Sequence, residues 1–268
     1  MAEGVSLHAL VWEGAAERPF LLVHGLSSNC RTWEAVAARL HAAGHAVAAV
    51  DLRGHGRSDK PDEAYDFATF TSDLRAVIGG LAFDRPVAVG QSTGGNLAVE
   101  LAAYPSGFVA GVVGIDGGLI ELSTRWPRWE DCESALAPPR LAGTPVTEVR
   151  RWIEKAHPDW SEAGIEATLA NLEVLADGTV RPWLTYDRHI RLLRALWEHR
   201  PSQVVPTLDV PALFLHADHL DGDHGAAPPH AMVTGRGVAV ERLAGDHDLH
   251  VQQPGAVADR LLRFASYG

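Results

Sequence analysis

Short apolar runs alternate along the chain with longer stretches whose apolar positions recur every three or four residues. The runs at 6–12 (SLHALVW), 19–24 (PFLLVH), 46–51 (AVAAVD), 86–90 (PVAVG), 109–116 (VAGVVGID), 212–217 (ALFLHA) and 238–243 (VAVERL) are predicted to be strands. Runs such as FLLV and VAGVVGI carry no polar position, which suits strands covered on both faces. Between them, 32–44, 69–81, 94–104 and 254–266 show helical spacing. Gly44 and Pro105 mark two of the carboxyl ends, and Pro254 sits in the first turn of the last helix. Strand–helix alternation of this kind predicts the α/β class, with a mostly parallel central sheet flanked by helices.

Residues 117–205 break the alternation. They read as helical pieces at 146–157, 161–174 and 187–200, punctuated by prolines, and they hold six of the eight tryptophans: Trp126, Trp129, Trp152, Trp160, Trp183 and Trp197. The expectation is a core domain formed by 1–116 and 206–268, with a helical cap over 117–205. An insertion that leaves the carboxyl end of a parallel sheet covers the edge where ligands bind in open α/β folds.

Composition narrows the function classes. The chain is 46% hydrophobic and 21% charged, with a net charge of −11, and no basic field attracts a nucleic-acid backbone. No apolar run is long enough for a membrane span, and the first residues do not read as a secretory signal. Two cysteines, Cys30 and Cys132, make no disulfide framework and fit a cytoplasmic protein, expected as a monomer or homodimer.

Candidate chemistry centres on VAVGQSTGGN. Gly90-Gln91-Ser92-Thr93-Gly94 matches G-x-S-x-G between a predicted strand and a predicted helix, the setting that lifts a serine hydroxyl above a sheet on a sharp turn. A serine needs a base to attack. His247, in the Gly/Asp-rich loop GDHDLH after the last strand, is the first choice, and His250 is the alternative. Two backbone donors for an oxyanion are expected at Thr93, which follows the serine, and at Leu26, just beyond His24-Gly25.

The segments LLVHG, VDLRGHGRSDKP, VGQSTGG and GDHDLHVQQP, in that order, resemble the α/β-hydrolase superfamily over nearly the whole chain. The resemblance implies an α/β-hydrolase fold with the cap inserted after the sixth strand, and a Ser92–acid–His247 triad. It makes Asp51 and Arg53 structural. The acid departs from the common pattern: Ala217 replaces a glycine after ALFLHA and Leu220 holds the usual acid position, with Asp218 and Asp221 on either side. A second position used in the superfamily, at the end of the strand after the nucleophile helix, is occupied by Asp116, 24 residues after Ser92. All three acids stay open at this point.

The segment HADHLDGDHG supplies His216, Asp218, His219, Asp221, Asp223 and His224, a possible metal cluster, but it lacks the arrangement of binuclear zinc hydrolases, so no metal and no cofactor are expected. Expected function is hydrolysis of a small carboxylic ester or lactone. Trp126 and Trp183 in the cap, with His24, Gly25 and Gln91 near the nucleophile, are expected to bind an apolar or aromatic substrate. C–C bond hydrolases, thioesterases and perhydrolases use similar constellations, and a ligand-binding or signalling protein on the same scaffold is the rival from another class.

Overall fold

The computed structural model describes residues 4–16, 18–104, 107–218 and 237–266. Nine strands and eleven α-helices lie in this described part. The strands are β1 (Ala9–Trp12), β2 (Phe20–Val23), β3 (Val47–Val50), β4 (Val87–Gln91), β5 (Gly111–Ile115), β6 (Leu172–Val174), β7 (Val180–Pro182), β8 (Ala212–Asp218) and β9 (Val238–Ala244). The main sheet runs β1-β3-β2-β4-β5-β8-β9, with β1 antiparallel and every other pair parallel. The α/β architecture and mostly parallel sheet expected from the hydrophobic pattern are present.

Residues Phe20, Leu21, Leu22 and Val23 are all buried, and successive side chains point to opposite faces. Phe20 and Leu22 join a cluster with Trp33, Val36 and Leu40, whereas Leu21 and Val23 join Phe70, Leu74 and Leu97 on the other side. Helices α1 (Glu34–Ala42), α2 (Phe67–Gly80) and α3 (Thr93–Ala103) supply those partners, apart from Trp33, which lies in the short turn before α1. A polar residue in either face would face hydrocarbon, which is why these strands read as unbroken apolar runs.

Connection order creates the site. From β2 the chain passes to β3 on one side, then crosses to β4 on the other, so a crevice opens where neighbouring loops diverge. Register brings the carboxyl ends level: Val23 pairs with Gly90, Gln91 with Ile115, and Ile115 with Leu215. His24, Ser92 and Asp116, which follow β2, β4 and β5, and His216, which follows Leu215 within β8, therefore lie along one edge.

Between β5 and β8 lie α4 (Leu122–Arg125), α5 (Trp129–Leu136), α6 (Val146–Ala156), α7 (Glu162–Leu169), the β6–β7 hairpin, α8 (Tyr186–Glu198) and α9 (Pro201–Val204). In this chain's sheet the insertion follows the fifth strand. The hairpin replaces the end of the helix expected over 161–174. Its turn contains Asp177-Gly178, with Gly178 at φ 80, a hairpin signal that the helical spacing of the preceding residues obscured. The chain closes with α10 (Leu249–Gln252) and α11 (Pro254–Ser266). No helix among the described residues is long and apolar enough to cross a membrane.

Candidate active site

Ser92 is the hinge between β4 and α3. Its backbone is left-handed, φ 52 and ψ −123, a conformation that costs a non-glycine residue energy and that the surroundings must hold. They do so through backbone bonds: Ser92 N–H donates to the Ile115 carbonyl at 3.0 Å, and the Ser92 carbonyl accepts the Gly95 N–H at 2.9 Å. The half-buried side chain thus stands at the amino end of an 11-residue helix, where free N–H groups and the helix dipole favour negative charge.

The loop after β2 closes on this serine. A Cβ added to Gly25 would lie 3.0 Å from Ser92 Cβ, so a side chain there would crowd the hydroxyl. Gly25 carbonyl accepts Ser28 N–H at 3.2 Å across a tight turn with Ser27 left-handed at φ 60, which leaves Leu26 N–H outside the turn bond. Thr93 N–H, in the first turn of α3, likewise has no intrahelical acceptor. Among the described residues, the Leu26 and Thr93 N–H groups therefore have no backbone acceptor.

Asp116 follows β5 in another left-handed conformation, φ 41. Oδ2 lies 2.6 Å from His247 Nδ1, while Oδ1 accepts Ala217 N–H at 3.0 Å and lies 2.9 Å from His216 Nδ1. Burial disfavours the Asp116 carboxylate, but these three donors outweigh it and hold the group well below the ordinary carboxylate range. An ionised carboxylate only accepts, so His247 carries its proton on Nδ1, leaving Nε2 to take one. Desolvation opposes a charged His247, but the Asp116 hydrogen bond and the carboxylates of Asp248, Asp116 and Asp246 prevail and raise its pKa above the usual value.

Gln91, buried beside the nucleophile, donates from Nε2 to the His247 carbonyl at 3.1 Å. The histidine loop is thereby tied both to the residue before Ser92 and to the one after β5.

Other expected residues fall elsewhere. Asp218 pairs with Arg242 on the neighbouring strand, and its half-exposed carboxylate is spent there, so the acid beside His247 is Asp116 and not Asp218. Asp221 lies outside the described residues, as do His219, Asp223 and His224, and His216 is engaged with Asp116. His250 is fully buried against Trp33, with ring centroids 4.4 Å apart, and burial lowers its pKa to about 3. It is neutral and inside the core.

His24 is also fully buried. Its Nε2 accepts Leu52 N–H at 3.0 Å, which fixes the tautomer and leaves Nδ1 to donate to Gly25 O at 2.8 Å. Both residues brace loops: the two ring nitrogens of His24 are engaged, and Gln91 Nε2 is committed to the His247 carbonyl. Trp126 is half-buried, with its carbonyl accepting Trp197 Nε1–H at 2.7 Å, and Trp183 lines a cavity described below. Asp51 accepts backbone N–H groups from Cys30 and Arg57, and Arg53 forms a buried two-point pair with Asp73 at 2.6 and 2.8 Å. Burial pushes both cysteine thiols up, which keeps them protonated.

Sequence reasoning missed Asn96, and it read His216 only as part of a possible metal cluster. Asn96 Oδ1 accepts Gly118 N–H at 2.9 Å and so steadies the loop after Asp116. The pairing of β5 with β8 brings His216 beside Asp116, whereas Asn96 reaches the same loop from α3, four residues after Ser92. Also unforeseen is Asp246, which accepts Trp160 Nε1–H at 2.8 Å and joins the histidine loop to the insertion.

Comparison with known proteins agrees with this arrangement of elements. A family model described as "Alpha/beta hydrolase family" matches residues 20–260. Among curated relatives, 2-(acetamidomethylene)succinate hydrolase of Mesorhizobium japonicum is 38% identical over 96 residues, 36% of this chain and 34% of that protein. Esterase Rv0045c of Mycobacterium tuberculosis is 37% identical over 112 residues, 41% of this chain and 36% of that one. The first relatives matched, uncharacterised mycobacterial proteins, share a segment spanning only 24% of their own length. In structure, the crystal structure of E-2-(acetamidomethylene)succinate hydrolase superposes with a TM-score of 0.83 at 23% identity, covering 98% of this chain and 96% of that one. A thioesterase domain from the curacin biosynthetic pathway gives 0.75 at 23% identity, over 98% and 97%. At such identities the structural likeness speaks for the fold, while the family match covers most of the sequence. The chain is a member of the alpha/beta hydrolase family.

Proposed function

We propose that the protein is a serine hydrolase that cleaves a small carboxylic ester or lactone through an acyl-enzyme, with residues 117–205 acting as a cap over the site. The observation that carries this reading is the 2.6 Å contact of Asp116 with His247, in a loop bound by Gln91 to the base of the Ser92 turn. Ser92 Oγ attacks the carbonyl carbon as His247 Nε2 takes its proton. Asp116 keeps the ring in the required tautomer and stabilises the imidazolium. Leu26 and Thr93 N–H groups bind the oxyanion, and the collapsing intermediate expels the alcohol, which receives the proton from His247. Water then repeats the sequence and frees the acid. A serine nucleophile rather than an aspartate supports acyl transfer over alkyl-enzyme chemistry.

Activity with p-nitrophenyl acetate tests this reading through its pH dependence. His247 must be neutral to accept a proton, and its pKa lies above the ordinary 6.5. kcat/KM is expected to rise with pH and reach half its plateau above 6.5. Removing the Asp116 charge moves that midpoint to lower pH. A profile flat from roughly pH 5 to 9 would remove His247 from the mechanism.

A further inference from the structure

Beside the turn that follows β2, the insertion lines an open-sided cavity of about 450 Å³. Leu141, Ile153, Leu172 and Trp183 give it apolar walls, and Ser27 and Ser28 supply its edge on the sheet side. Ser27 is the residue after Leu26, whose N–H the mechanism above assigns to the oxyanion. A substrate held by its carbonyl at Leu26 has this cavity next to it, large enough for the arm of a small molecule.

Two guanidinium groups line the same space, and they differ. Arg181 is paired with Glu173 across the hairpin, Nε to Oε2 2.9 Å, so its charge is neutralised in place. Arg140 has no carboxylate partner among the described residues. Its guanidinium lies over the Tyr186 ring at 4.8 Å, and both residues line the cavity. Stacking on an aromatic face holds the group flat while leaving its edge N–H groups free to donate. In a chain with a net charge of −11, an uncompensated cation at the exposed rim of an apolar cavity is a selective feature, because the fork of a guanidinium matches a carboxylate at two points.

We infer that this cavity receives an apolar arm of the substrate ending in a carboxylate, and that Arg140 is the residue that selects it. The inference rests on the Ser92 reading for its view of which bond is cut, but carboxylate binding itself does not. The preferred substrates are then esters or lactones whose apolar arm carries a free carboxylate.

The test pairs binding with turnover. By titration calorimetry near neutral pH, hexanoate is expected to bind the wild-type protein at least about tenfold more tightly than hexanamide, which has the same arm without the charge. R140Q should lose that preference with an unchanged melting temperature, and R140K should keep part of it. In turnover, mono-p-nitrophenyl adipate should exceed p-nitrophenyl hexanoate in kcat/KM by a similar factor, again only with Arg140 present. Equal binding of acid and amide, or a preference that survives R140Q, overturns the inference. An Arg140-dependent preference without any turnover leaves the carboxylate site standing and sinks the serine-hydrolase reading. Ester turnover indifferent to R140Q does the reverse.

Discussion

Asp116→Asn is expected to lower kcat/KM for p-nitrophenyl acetate by roughly 10²–10⁴-fold, the size seen when an Asp–His contact in a serine triad is converted to Asn–His. Asp218→Asn is expected to leave it within about twofold, as for most surface substitutions. The contrast follows from how the Asp116 oxygens divide their work. Oδ1 accepts Ala217 N–H and faces His216, contacts that an asparagine carbonyl retains, so the turn stays in place. Oδ2 faces His247 Nδ1, and there an asparagine presents N–H to N–H. The ring must then move its proton to Nε2, where no basic lone pair is left for the Ser92 hydroxyl. Asp218, by contrast, holds only Arg242 at a half-exposed surface position, where an ion pair contributes little. Steady-state kinetics on both variants, with melting temperatures to verify folding, decides between the two acids. Equal losses would mean that Asp116 is not the acid.

Gly117→Ala is expected to lose about 10²-fold or more in kcat although the substitution adds one methyl and removes no polar group. A Cβ at residue 117 would stand 2.5 Å from Ser92 N and 2.7 Å from Ser92 Cα, and closer still to its carbonyl. None of these atoms can give way easily. Ser92 N–H is bonded to Ile115 O, and its carbonyl to the first turn of α3. The methyl must therefore push the nucleophile turn and the acid loop apart, and a shift near 1 Å between reacting groups costs about this factor. Overpacking of this kind also destabilises by about 1–3 kcal/mol. Thermal unfolding together with single-turnover rates separates the two effects. Wild-type kcat in G117A would mean that the loops are not locked together.

The frame of the molecule was readable because its strands are covered on both faces and its core helices lie at helical spacing between them. Phe20–Val23 and Val87–Gln91 could not be anything else without exposing or wasting a continuous apolar run. The strand-to-helix turn that carries Ser92 was readable for a local reason, the glycine spacing around it. The acid was not, since Asp116 and Asp218 both stand at strand ends, and only the pairing of Ile115 with Leu215 and the path of the histidine loop distinguish those two. For His24 and Gln91, sequence proximity to a nucleophile does not tell a ligand contact from a buried brace. The β6–β7 hairpin was hidden by helical spacing that runs up to its first strand.

Ser92 acts as a nucleophile because His247 serves it as base; that is the central claim. It is tested most directly by locating the adduct of a fluorophosphonate probe by peptide mass spectrometry and timing its formation. The account predicts a single modified residue, Ser92, no labelling in S92A, and labelling slowed by about 10²-fold or more in H247Q. Label on another residue, or labelling of Ser92 as fast in H247Q as in the wild type, would contradict it.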